Sequence, residues 1–181
     1  MASIFDVTNY LIQLSHSVGE PEPINPLKIQ KLLYYAQGIS LAKRDGCLFS
    51  DKIKAWRDGP VVPLVWHQYK EFGRNALPCP DAVVSLEIDD RVFLRQVWAL
   101  YGKYTGDELS KRTHEEAPWK DARRSLMPDA KSDNEISCDA LKCFFVAQDI
   151  RLPSVPRPVE IRRGREVYSI EDAGKILPVG I

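Results

Sequence analysis

The residues best suited to chemistry in this chain are few. Thr113-His114-Glu115 stands just behind Asp107 and Glu108. A histidine titrates near neutral pH, and neighbouring carboxylates could make it a general acid or base. Lys31 would join that group only if the fold carried it to His114. No nucleophile motif, phosphate loop or metal cluster accompanies them. The stronger reading is therefore a capped helix whose His114 hydrogen-bonds a carboxylate or a carbonyl and braces a junction beside Trp119. The other histidines, His16 and His67, are remote in sequence, and Cys47, Cys79, Cys138 and Cys143 contain no C-x-x-C pair. That spacing offers no zinc site, and no cofactor is expected; the thiols are expected to be reduced.

A second group could bind rather than react. In Trp56-Arg57-Asp58-Gly59-Pro60-Val61, Gly59 permits backbone angles that other residues avoid and Pro60 fixes the next. This reads as a sharp corner with Trp56 in the core. It could also present Arg57 and Asp58 to a partner, since tryptophan and arginine are favoured at interface hot spots. Lys28 and Lys31 sit on an otherwise apolar helix. The expected arrangement is snorkelling, with packed stems and ammonium groups in water; the alternative pairs Lys31 with an acidic group such as Glu108 or with a partner's carboxylate. Tyr34 and Tyr35 fall in the buried stripe and read as core. Arg123-Arg124, Arg162-Arg163 and Arg165 read as solvated surface. The aromatic interleaving of a single-strand nucleic-acid binder is missing.

These residues need a scaffold, and the chain supplies a helical one. Leu27 to Ala42 is apolar on nearly all sides, with Asn25 able to cap it and Pro26 at the first helical position. Such a helix belongs inside a domain. The spacing predicts further helices over Ile4–His16, around Val62–Phe72, from Asp89 or Asp90 to Tyr101, from the capping box at Thr105–Glu108 towards His114, at Pro118–Leu126, and after Ser137 through Ile150. Cys47–Phe49 and Ile53–Trp56 could be short strands or extended loop. The expected class is mainly α, a compact helical domain around a central buried helix with a small β element. The helical unit should span 1–150. Residues 151–181 should be an extended tail or small hairpin, with Val159–Ile161 and Val167–Ile170 as strands able to pair with a partner's edge.

Lysine plus arginine equals aspartate plus glutamate, 25 each. Zero net charge argues against a nucleic-acid grip through counterion release. No apolar run approaches a membrane span and the N-terminus lacks a signal-peptide pattern, so a cytoplasmic location is expected.

Three stretches in order resemble the Panacea-domain family of SocA-like antitoxins, carried on prophages and mobile elements. They are Leu27–Gly38, Phe49–Pro63, and the run from Tyr101-Gly102 through Glu108-Leu109-Ser110 and Thr113-His114-Glu115 to Pro118-Trp119. The resemblance implies a compact helical cytoplasmic protein, the antitoxin of a two-gene pair, that neutralises a cognate protein toxin encoded beside it by direct binding. It implies no enzyme. Presentation of the toxin to a protease has been proposed for similar proteins. Alternatives are a hydrolytic or small-molecule-binding domain using His114 and nearby carboxylates, and a DNA-binding autoregulator. The partner-facing candidates are Lys28, Lys31, Tyr34, Trp56, Arg57, Asp58, Gly59, Pro60, His114 and Trp119.

Overall fold

A computed structural model describes residues 1–18, 23–127, 129–163, 166–170 and 176–179, with 159–179 described by backbone alone. The Gly- and Pro-rich stretch Val18–Pro23, expected from its composition to be a turn, lies mostly outside these residues. The architecture is mainly α with small β elements. Helix α1 runs Ile4–Val18, and α2, Pro26–Lys43, is the axis of the fold. Asn25 caps α2 by accepting from the Lys28 backbone N–H, and Pro26 sits where no intrahelical donor is needed. Fifteen of its residues, from Pro26 to Leu41, are buried. Its apolar residues therefore show little sidedness, as expected of a helix enclosed by neighbours.

Those neighbours come from the rest of the chain. The hairpin β1 (Ile53–Trp56) and β2 (Gly59–Val61) is followed by α3 (Pro63–Tyr69) and a short 3-10 turn. Helix α4 spans Ile88–Tyr101, α5 Gly106–Glu115, α6 Ala117–Arg123 and α7 Cys138–Ala147. The two-residue β3, Glu135–Ile136, pairs with β1, giving an antiparallel sheet ordered β2-β1-β3. Thr105 and Glu108 form the expected capping box at the start of α5. Helix α7 packs along α2 more extensively than any other helix does. It comes so close at Gly38 that a Cβ there would run into the Phe145 ring.

The sharp corner expected at Trp56–Val61 is present as the tight end of the β1–β2 hairpin. The turn is Arg57-Asp58, and Gly59 and Pro60 already belong to β2, paired with Trp56 and Ala55. Proline is tolerated because β2 is an edge strand, where a missing donor breaks no ladder. Cys47–Phe49 is not a strand. Glu87, not Asp89 or Asp90, precedes α4, and Ile150 lies beyond the end of α7. At the C-terminal end β4 (Val159–Arg163) and β5 (Glu166–Ile170) form the expected antiparallel pair, and a third strand, β6 (Ile176–Val179), joins them.

Leu32 is fully buried at the centre of the core. Leu32→Ala leaves a cavity that a rigid helix cannot collapse into, and is expected to cost roughly 2–5 kcal/mol. Urea denaturation of the variant against the parent measures that loss.

Candidate functional site

The β1–β2 corner is held by its carbonyls. Arg123 Nη1 donates to Ala55 O at 2.9 Å, and Trp119 Nε1 donates to Trp56 O at 2.9 Å. The ring nitrogen Nε2 of His114 lies 3.1 Å from Arg57 O. A carbonyl only accepts, so Nε2 carries the proton and Nδ1 is the acceptor in the neutral ring. Lys31 Nζ donates to Asp58 O at 2.7 Å and to Pro60 O at 3.2 Å, and Ser110 Oγ donates to Asp58 O at 3.2 Å. Side chains of α2, α5 and α6 thus take the carbonyls of residues 55, 56, 57, 58 and 60. Just beyond the corner, Gln30 Oε1 accepts from Val62 N–H at 2.7 Å.

Lys31 is the centre of this arrangement. It is fully buried, against the expectation of snorkelling, and so is Lys28. Burial lowers the Lys31 pKa to about 7, opposed by the nearby Asp58 charge. A neutral amine has two N–H donors, which matches its two carbonyl partners. Gly59 lets the lysine in. Its φ is +104°, and a Cβ there would collide with Lys31 Nζ and lie 3.2 Å from Thr113 Oγ1. The glycine is therefore required twice, by backbone angle and by space. Lys31 does not pair with Glu108, whose carboxylate accepts from the Thr105 backbone N–H and hydroxyl.

The junction of α5 and α6 is fixed from the same helix. Tyr34 and Tyr35 donate their hydroxyls to Glu116 at 2.7 and 2.9 Å. Burial raises the Glu116 pKa, and the two tyrosine bonds oppose the shift. Burial, then the Glu116 charge, pushes both tyrosines far above their ordinary range. Tyr35 also stacks on Tyr101 with ring centroids 4.0 Å apart. His114 and Trp119 pack together at 4.3 Å. Desolvation lowers the His114 pKa, against its bond to Arg57 O.

With the backbone gripped from inside, the side chains of the turn face solvent. Arg57 and Asp58 are exposed and pair with each other at 3.2 Å. Trp56 is half-buried against Trp66, edge to face, with centroids 6.1 Å apart. A cavity of about 570 Å³ lies between Trp56, Arg57, Asp58, Trp66 and residues 131–133. A second, of about 640 Å³, borders Trp56, Asp58 and Trp66 together with Gln30, Lys31, Asp107, Ser110 and His114. Gln30 Nε2 is buried there without a hydrogen-bond partner among the described residues.

The fold thus brings together Lys31, Trp56, Arg57, Asp58, Gly59, Pro60, His114 and Trp119, with Tyr34 behind them. It does not bring Lys28, which donates to Gly102 O at 2.6 Å and lies over the Trp98 ring. Lys31 and His114 meet the same turn, but the carboxylates proposed to work with them are engaged elsewhere: Glu108 in its cap, Asp107 with Arg74 at 3.1 Å. Sequence reasoning missed Trp66, Gln30, Ser110 and Arg123. Arg123 was expected in solvent and is buried, bridging Ala55 O and Ala130 O. Among the described residues no three His, Cys, Asp or Glu side chains group to hold a metal, and no helix is long and apolar enough to cross a membrane.

Residues 29–120, just over half of the chain, match the family described as Antitoxin SocA-like, Panacea domain. The chain belongs to that family. The matched segment of this Panacea-domain chain contains α2 from Ile29 onward, the Trp56–Val61 corner and the His114–Trp119 junction. It is also similar to Antitoxin SocA of Caulobacter vibrioides (strain NA1000 / CB15N), 39% identical over 51 residues. That alignment covers 28% of this chain and spans about a quarter, 27%, of the relative's length. No solved structure matches.

The buried amine sets a pH dependence. Its folded pKa of about 7 lies below the ordinary 10.5, so the unfolded chain binds more protons between those values. Stability from this group therefore rises as pH increases from about 7 towards 10.5. Relative to Lys31→Met, the parent should gain on the order of 1 kcal/mol per pH unit across that window. Parallel urea titrations from neutral to mildly alkaline pH check the slope.

Proposed function

We propose that this protein is an antitoxin that neutralises a protein toxin by direct binding, and that the toxin docks on the Trp56–Trp66 face. One observation carries the placement. The corner's backbone carbonyls are occupied by buried side chains, while Trp56, Arg57 and Asp58 face outward with Trp66 between two cavities. A rigid backbone presenting tryptophan and arginine loses little side-chain and loop entropy on association, and these residue types dominate interface energetics. Family membership supports the antitoxin role. The zero net charge favours a protein partner over nucleic acid.

In this reading the site residues divide by role. Trp56, Trp66, Arg57 and Asp58 touch the toxin. Lys31, Gly59, Pro60, His114 and Trp119 act through them as positioning residues, and Tyr34 acts at one remove through Glu116. Lys28 has no part in docking. The helical unit 1–150 carries the interface, so a chain ended after residue 150 retains binding.

The test is co-expression with the protein encoded by the adjacent reading frame. The pair should grow where that neighbour alone is toxic, and the two proteins should co-purify. Arg57→Glu and Trp66→Ala should each weaken the complex more than about thirtyfold, the scale of a hot-spot loss. Melting temperatures report whether the variants remain folded. A folded double variant that still binds and rescues growth would place the interface elsewhere. Failure of the parent to rescue would remove the antitoxin reading itself.

A further inference from the structure

A pair of thiols lies away from the corner, in a part of the molecule the proposed docking does not use. Cys47 lies on the segment leaving α2, and Cys138 is the first residue of α7, immediately after β3 and its Ser137 cap. Their sulfurs are 3.7 Å apart although 91 positions separate them in sequence. Both are free; Cys47 is half-buried and Cys138 exposed. A disulfide needs about 2.0 Å between sulfurs, so closure asks for less than about 2 Å of movement shared by two side chains. A cleft of about 130 Å³ opens on both cysteines, with Glu135, Lys52 and Leu141 among its walls. It is large enough for a peroxide molecule.

We propose that Cys47 and Cys138 form a reversible intramolecular disulfide with hydrogen peroxide as oxidant. One thiolate attacks a peroxide oxygen; the O–O bond breaks, and hydroxide leaves, giving a sulfenic acid. The second thiolate attacks that sulfur; the S–O bond breaks, the S–S bond forms, and a second hydroxide leaves. The two thiol protons convert both hydroxides to water. Two electrons pass from sulfur to peroxide, so two thiols and one peroxide give one disulfide and two waters. Partial desolvation of its sulfur, then the adjacent Cys47, raises the Cys138 pKa. Oxidation is accordingly slow at neutral pH and quickens as pH rises. The bond would enclose β1, β2, α3 to α6 and β3 in one covalent loop and fix the start of α7, the main partner of α2. Constraining a loop of that length in the unfolded chain stabilises the fold.

The full-length protein is treated with hydrogen peroxide, quenched with N-ethylmaleimide and analysed by intact and peptide mass spectrometry. The expected product is monomeric, 2 Da lighter before alkylation by the loss of two hydrogens, and yields a Cys47–Cys138 cross-linked peptide. Its melting temperature should rise by about 10 °C and return with dithiothreitol. Cys47→Ser and Cys138→Ser should each abolish the cross-link and the shift, while Cys79→Ser/Cys143→Ser keeps both. Absence of the Cys47–Cys138 peptide from oxidised parent protein overturns the proposal. So does oxidation confined to sulfinic acid on Cys138, or a product consisting of dimers through Cys79 or Cys143. These results come from the parent chain and do not depend on the serine variants folding.

Discussion

A buried amine with two backbone acceptors is the constraint around which this molecule is arranged. Lys31 projects from a helix enclosed by its neighbours and finds its partners in Asp58 O and Pro60 O. Leaving such a donor unmade would cost roughly 1–3 kcal/mol or more, which outweighs the modest net gain from making it. The penalty gives the corner its position. The turn must bring its carbonyls to the lysine, and only a glycine at position 59 leaves room for the amine. The bonds from Arg123, Trp119, His114 and Ser110 then continue along the same stretch of backbone. Tyr34 and Tyr35, one turn further along α2, fix the junction that delivers His114 and Trp119. One helix therefore sets both the corner and the elements that brace it.

This division of labour bears on function. The inward side of the corner is backbone held by buried side chains, and the outward side is two tryptophans and an exposed ion pair flanked by cavities. The backbone of such a surface is held from within the fold. The stretches that carry the family resemblance are the ones that build it: the Lys31 helix from Ile29 onward, the Trp56–Val61 corner and the His114–Trp119 junction lie within the matched residues. The shared pattern thus describes a holding device more than a set of reactive groups.

The scaffold was largely legible in the sequence because its signals are local. Asn25-Pro26, the Thr105–Glu108 box and Ser137 announce helix starts through bonds made within one turn. What was misread depends on distant partners. Lys28 and Lys31 looked like snorkelling residues because the sequence shows a flexible cationic stem, not the carbonyls of Gly102, Asp58 and Pro60 waiting for it. Arg123 looked solvated for the same reason. Trp66 fits the apolar period of its helix, which hides that it stands at the surface against Trp56. Gly59-Pro60 reads in the sequence as part of a sharp corner. It becomes an edge strand because the lysine fits beneath the glycine and the missing proline donor faces no neighbouring strand.

The claim that a buried Lys31 organises the corner is tested most directly by following lysine ε-carbon resonances in a pH titration by NMR. One resonance, absent from Lys31→Met, should titrate at about 7. A Lys31 resonance that titrates with the solvent-exposed lysines, near 10.5, would place the amine in water and contradict the account.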